Sequence, residues 1–191
     1  MYPPAGKHVH GQAEILDVGT GSGILGITAL KLGAKEVWGT DLDENAITAV
    51  GENLEANSIS SDSFHVLQGN IIDDQAVKDW AGYEKYDIVV ANILADVIIL
   101  LVDEIPAHLK KGGYFITSGI INMKEEAVKA AFAANQELEV TEITYQGEWV
   151  SVTAMKEVKR CIIFCRSDPG GRGYHLYYRA GCKPYETCAP H

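Results

Sequence analysis

Asp17-Val18-Gly19-Thr20-Gly21-Ser22-Gly23 closes an apolar run that starts at Ala13 and opens a helical pattern that runs from Ile24 to Leu32. A short apolar run ending in glycines predicts a buried parallel strand. Alternating glycines let the backbone turn sharply and let a ligand approach the peptide planes with no Cβ in the way. The bland alternative is a tight strand-to-helix turn with no ligand. Three glycines in alternation carry an entropic cost that such a turn alone does not require.

Working outward, the rest of the chain to residue 160 alternates between strand and helix. Gly33 is placed to end the first helix in the left-handed conformation. Glu36 to Thr40 is a second strand, after which Asp43 is a plausible N-cap for a helix to about Asn57. Phe64 to Leu67 is a third strand, Asp74 to Trp80 a short helix, and Tyr86 to Ala91 a fourth, strongly apolar strand. A helix is expected from Ala95 to Leu109, ending on Lys110-Lys111-Gly112-Gly113, where the basic residues suit the helix dipole. Tyr114 to Ser118 is strand five and Lys124 to Asn135 a helix. Val140 to Tyr145 and Trp149 to Met155 then pair as a hairpin across Gln146-Gly147-Glu148. Such alternation means a parallel sheet covered on both faces, with ligands bound outside the carboxyl ends of the strands.

Two ligands compete for the glycine turn. Gly21-x-Gly23-x-x-Gly26 satisfies the dinucleotide pattern, and Asp41 lies about 20 residues beyond it as a ribose-binding acid. The turn begins at Gly19, however, directly after the strand, and the chain offers no separate substrate domain for a hydride acceptor. Both features weigh against NAD. The segment instead resembles the first motif of S-adenosylmethionine-dependent methyltransferases of the Rossmann-like class. That resemblance assigns cofactor contacts to Asp17, Gly19, Thr20, Gly21 and Gly23, and both ribose hydroxyls to Asp41. Gly69-Asn70 falls where the class usually has an acid near the adenine amine. Asn70 could accept through its amide oxygen, and the choice between Asn70 and Asp73 stays open.

The more specific resemblance lies further on. Tyr86-Asp87-Ile88-Val89-Val90-Ala91-Asn92-Ile93-Leu94-Ala95 is similar to the fourth motif of the PrmA family, bacterial methyltransferases of ribosomal protein L11. Gly23-Ile24-Leu25-Gly26-Ile27, Ser118-Gly119-Ile120 and Gly147-Glu148-Trp149-Val150 match that family as well. The resemblance implies a Rossmann-like three-layer α/β sandwich, with a seven-stranded mixed sheet that finishes in an antiparallel hairpin. It also implies methyl transfer from S-adenosylmethionine to amino groups of a large-subunit ribosomal protein. The reaction is an in-line displacement on a sulfonium, so no metal is expected and positioning supplies most of the rate. Asn92, as both a catalytic and a cofactor-side residue, is expected to orient the amine. Two other functions remain open: a cofactor-binding fragment without activity, or a related methyltransferase acting on RNA or a small molecule.

Composition narrows the partners. The 191 residues carry 16 Lys+Arg against 26 Asp+Glu, a formal charge of −10, which argues against bulk electrostatic binding of nucleic acid. No apolar run approaches 18 residues, so no membrane span is expected, and with no leader-like start the expected location is the cytoplasm. A monomer is expected. His65 sits in a strand and is expected to be structural. His8 and His10 form a spaced pair with no completing metal ligand nearby.

The ends read differently from the middle. All four cysteines and four of the nine tyrosines lie within 161–191, where four basic residues face two acidic ones. That stretch shows neither a period of 2 nor of 3.6. The chain therefore divides into a short N-terminal remnant at 1–12, a cofactor-binding domain at 13–160 and a tail at 161–191 outside the family pattern. The tail is expected to be disordered. Both ends are expected to be misread frames: codons that fit residues 1–7 and 164–190, shifted by one base, give peptides like a family helix and the start of a ribosomal-RNA uridine methyltransferase.

Overall fold

A computed structural model describes residues 11–157, 160–166 and 174–180. The strands are β1 (Glu14–Val18), β2 (Glu36–Asp41), β3 (Phe64–Gln68), β4 (Tyr86–Asn92), β5 (Leu109–Ile121), β6 (Leu138–Gln146) and β7 (Trp149–Lys156). The helices are α1 (Ile24–Lys31), α2 (Asn45–Ala56), α3 (Gln75–Ala81), α4 (Ala95–Glu104) and α5 (Glu125–Ala134). The seven strands form one sheet in the order β3-β2-β1-β4-β5-β7-β6. β1 to β5 run parallel and β7 is antiparallel to both its neighbours. This is the expected mixed seven-stranded sheet with its antiparallel hairpin. The strand order reverses between β1 and β4, and an open sheet of this kind has its crevice beside that reversal.

Alternation along the central strands feeds two cores. Ile15, Ile88, Val90 and Ile116 pack with Ile27 of α1 and Val50 and Leu54 of α2. Leu16, Val18, Val89, Ala91 and Phe115 face the other way, onto Val77 of α3, Ile98 and Leu101 of α4, and Phe132 of α5. Two helices on one face and three on the other complete the three-layer sandwich. The first core is tight around one ring: a Cβ on Gly26 would lie 2.7 Å from Phe64 Cε1 and Cζ, and one on Gly39 would lie 3.0 Å from Cε2.

The helix starts and stops follow local chemistry. Asp74 caps α3 by accepting from the Ala76 amide at 2.9 Å. Asp43 accepts from the Asn45 amide at 2.9 Å, so it stands ahead of α2 although Glu44 holds the formal N-cap position. Gly33, at φ 101°, ends α1 as expected, and the Ala34 amide reaches back to Ala29 O.

One expected boundary is corrected. The helix predicted from Ala95 to Leu109 stops at Glu104 and passes into a 3-10 turn, Ile105–Ala107, with Pro106 in its first positions. Proline cannot donate the next helical hydrogen bond, and its ring crowds the preceding turn. Lys110-Lys111-Gly112-Gly113, expected to end that helix, lies inside β5. Lys156, buried at the end of β7, donates to Pro106 O at 2.7 Å and Leu109 O at 3.0 Å, and so fixes this corner.

Residues 157–191 form a separate unit. Within it Arg160–Arg166 (β8) and Tyr174–Ala180 (β9) pair antiparallel, where the sequence predicts no elements. The His8/His10 pair and most of the two expected frame-shifted ends lie outside the described residues.

Candidate active site

The glycine turn is held from beneath by a buried acid. Asp17, 1% exposed, accepts on Oδ2 from the Thr20 hydroxyl at 2.9 Å and from the Gly26 amide at 3.1 Å. Its Oδ1 is buried with no partner among the described residues. Burial pushes its pKa up to about 6; the nearby Asp41 carboxylate adds to the rise, and the Thr20 and Gly26 hydrogen bonds oppose it. Gly19, Gly21 and Gly23 all take positive φ, at 70°, 51° and 77°. The Gly19 and Thr20 amides both donate to Thr40 O, which ties the turn to β2.

Asp41 ends β2 and is half-buried beside that turn. Its Oδ2 accepts from the Gly21 amide at 2.7 Å and its Oδ1 from the Asp43 amide at 2.9 Å. A carboxylate has about four lone-pair sites, so two such bonds leave room for two hydroxyl donors. Asn70 follows β3, and its Oδ1 accepts from the Ile72 amide at 3.1 Å in a local turn. That oxygen keeps a second lone pair, and the amide NH2 is a further donor. Asn92 ends β4 with its side chain exposed and bonded to no described residue.

These strand ends converge on a cavity of about 520 Å³. Val18 and Gly19 line it at the end of β1, Thr40, Asp41 and Leu42 at the end of β2, and Gly69 to Ile72 from beyond β3. Asn92 to Leu94, Val97 and Leu101 of α4, Gly119 of β5 and Trp149 of β7 complete the lining. The volume lies within the usual range for small-molecule sites, roughly 300–1,000 Å³. Asp41 is the one ionisable side chain among the described residues that line it; the remainder is mostly aliphatic. Leu42, Leu94 and Trp149 are 70%, 74% and 49% exposed and stand at the cavity as large apolar side chains.

The structure thus divides the residues expected at the site. Gly19, Asp41, Asn70 and Asn92 border the cavity, while Asp73 is exposed and does not. Asp17, Thr20, Gly21 and Gly23 do not line it either: the first two hold the turn from inside, Gly21 bonds Asp41, and Gly23 opens α1. Gly119, Leu42, Leu94 and Trp149 are site residues to which the sequence assigns no role. The short motifs that contain Leu94, Gly119 and Trp149 are the available signal; nothing local singles out Leu42. His65 is structural as expected, with Nε2 2.7 Å from Glu36 Oε1 and its ring against Trp38. Among the described residues no cluster of three or more His, Cys, Asp or Glu could hold a metal ion, and no helix is long and apolar enough to cross a membrane.

A glycine turn after β1, an acid ending β2 and a polar side chain ending β4, all at the reversal of a seven-stranded mixed sheet, define a domain of the Rossmann-like methyltransferase class. A family model described as ribosomal protein L11 methyltransferase (PrmA) matches residues 6–157, and the chain belongs to that family. The ribosomal protein L11 methyltransferase of Lachnospira eligens is 58% identical over 151 residues, covering 79% of this chain and 48% of that protein. That of Agathobacter rectalis is 54% identical over 156 residues, covering 80% and 48%. The chain therefore spans about half the length of these curated relatives. The crystal structure of ribosomal protein L11 methylase from Lactobacillus delbrueckii subsp. bulgaricus superposes with a TM-score of 0.67 at 32% identity, over 76% of this chain and 70% of that one.

Proposed function

We propose that this domain binds S-adenosylmethionine and transfers its methyl group to amino groups, a lysine side chain or an N-terminal amine, of a large-subunit ribosomal protein of the L11 type. The observation that carries the proposal is that Asp41 and Asn92, the polar ends of β2 and β4, border one aliphatic cavity with Gly19 of the β1 turn between them. The printed names of the relatives supply the acceptor class.

Bound there, the sulfonium supplies an activated methyl group. Asp41 would take the ribose hydroxyls on its free lone pairs, and Asn70 the adenine edge. Gly19 lets the ligand approach the backbone closely. Asn92 Oδ1 would accept an N–H bond from the acceptor amine and fix the direction of attack. An amine attacks only when neutral, and a free lysine has a pKa of about 10.4. The aliphatic lining lowers that pKa by desolvation, and no lining residue among those described is placed as a general base. The domain's place of work is the cytoplasm, where its acceptor is made.

The test is incubation of the 191-residue chain with radiolabelled S-adenosylmethionine and purified ribosomal protein L11, together with calorimetry of S-adenosylhomocysteine binding. Label in the ribosomal protein supports the full proposal. Binding without label supports a cofactor-binding unit that needs the rest of a longer protein for turnover. No binding overturns the proposal.

A further inference from the structure

The corner that carries Asn92 is flanked by two glycines, Gly119 within β5 and Gly19 in the turn after β1. β5 pairs with β4 in parallel register up to Asn92 opposite Ser118. On its other side β5 pairs with β7, Thr117 opposite Val152 and Ile120 opposite Val150. Ser118 and Gly119 thus oppose the single residue Ser151, which makes a β-bulge, and Gly119 adopts φ 78°. The left-handed backbone alone would account for a glycine. The space around it says more.

A Cβ on Gly119 would stand 2.8 Å from Asn92 Oδ1 and 2.9 Å from Ile93 O, inside the distance that carbon tolerates. The corner has no slack to retreat into on the β1 side. Ile93 Cγ2 occupies the place that a Cβ on Gly19 would take, so Ile93 already packs on the glycine turn. No described residue hydrogen bonds to the Asn92 amide. Its direction is therefore set by what surrounds it, and the bulge in β5 is one wall of that space.

We infer that Gly119 is a positioning residue for Asn92: the β5 bulge clears the volume in which the Asn92 amide oxygen is aimed at the acceptor amine. This rests on the reading of Asn92 given under the proposed function. A side chain at 119 forces the amide to another rotamer and presses on the Ile93 peptide. Misplacement of about 1 Å in such a group is enough to change a rate on the order of a hundredfold.

The test uses two ligands on the full chain. Sinefungin is an analogue of S-adenosylmethionine with an amino group in the place of the transferred methyl, whereas S-adenosylhomocysteine has no group there. Calorimetry of the unmodified chain should show sinefungin bound more tightly than S-adenosylhomocysteine. Gly119→Ala should cut that preference, read as the ratio of the two affinities in the same variant, by about tenfold, the scale of one hydrogen bond to a charged donor. In the Asn92→Ala background the preference is already lost, and adding Gly119→Ala should change it no further. A structural role alone would act equally in both backgrounds. Gly119→Asn adds the same Cβ in a residue that tolerates left-handed backbone, and it replaces Gly119→Ala if the alanine variant does not fold.

Equal binding of the two ligands by the unmodified chain, or a Gly119→Ala effect that persists without the Asn92 amide, would overturn this inference alone. Failure of both ligands to bind the unmodified chain would overturn the cofactor reading, and this inference with it.

Discussion

Asp41 Oδ2 and the Gly21 amide are 2.7 Å apart, so the acid that ends β2 and the glycine turn that follows β1 form one hydrogen-bonded unit. Asp41 therefore shapes the turn as well as bordering the cavity, and holds the two in fixed relation.

That double duty predicts a large effect from a small change. Asp41→Ala removes the acceptor for the Gly21 and Asp43 amides and, under the proposed function, for the ribose hydroxyls. A hydrogen bond to a charged group contributes about 1.5–3 kcal/mol, so S-adenosylhomocysteine affinity should fall roughly 10- to 100-fold. Asp41→Asn keeps one acceptor oxygen and should lose less. Calorimetry reads both variants; unchanged affinity in Asp41→Ala would refute the assignment.

Asp17 predicts a pH dependence. Its pKa rises on folding from 3.8 to about 6, chiefly because burial penalises the charged form. The folded state thus holds this proton more tightly than the unfolded chain does. The resulting contribution to stability is full below 3.8 and is lost as pH rises through about 6. Asp17→Asn fixes the group neutral, so relative to the unmodified chain it should gain stability between pH 4 and pH 7.5, by up to roughly 3 kcal/mol. Urea unfolding at those two pH values measures it. A difference between the two proteins that does not change with pH would count against this account.

Gly26 predicts overpacking. Alanine is favoured over glycine in a helix by about 1 kcal/mol, yet a Cβ here would meet Phe64 and Val37 Cγ1 at 2.7 Å. Gly26→Ala should therefore destabilise the domain by about 1–3 kcal/mol. Gly26→Ala with Phe64→Leu should be less destabilised than the two single changes summed. Strict additivity in thermal unfolding would show that the ring is not what the methyl strikes.

Trp149 predicts an optical signal. Its indole is 49% exposed and borders the cavity, whereas Trp38 and Trp80 pack against each other with ring centroids 4.7 Å apart, on residues that do not line it. Titration with S-adenosylhomocysteine should shift or quench tryptophan emission in the unmodified chain. Trp149→Phe should abolish most of that response while leaving binding measurable by calorimetry. A response that survives the substitution would place the ligand elsewhere.

The alternation of strands and helices, the glycine turn at Gly19 to Gly23 and the polar residues that end β2 and β4 are all legible in the order of the amino acids alone. These depend on interactions between near neighbours in the chain: a period of side-chain burial, a positive φ that only glycine meets cheaply, an acid at a strand end. The division of labour within the first motif was not legible there. That Asp17 holds Thr20 and Gly26 beneath the turn, while Asp41 borders the cavity, depends on depth rather than face: in the β1/β2 register Asp17 lies opposite Gly39, two residues below the Asp41 end of β2. Pro106 could have shortened the helix predicted to Leu109, but its effect shows only once β5 is seen to begin at Leu109. Gly119 and Trp149 reach the site because β7 runs antiparallel beside β5, with a bulge between Thr117 and Ile120. Strand order and bulge register are decided by residues far apart in the chain packing on both faces of one sheet, and no local pattern in the sequence encodes where those residues meet.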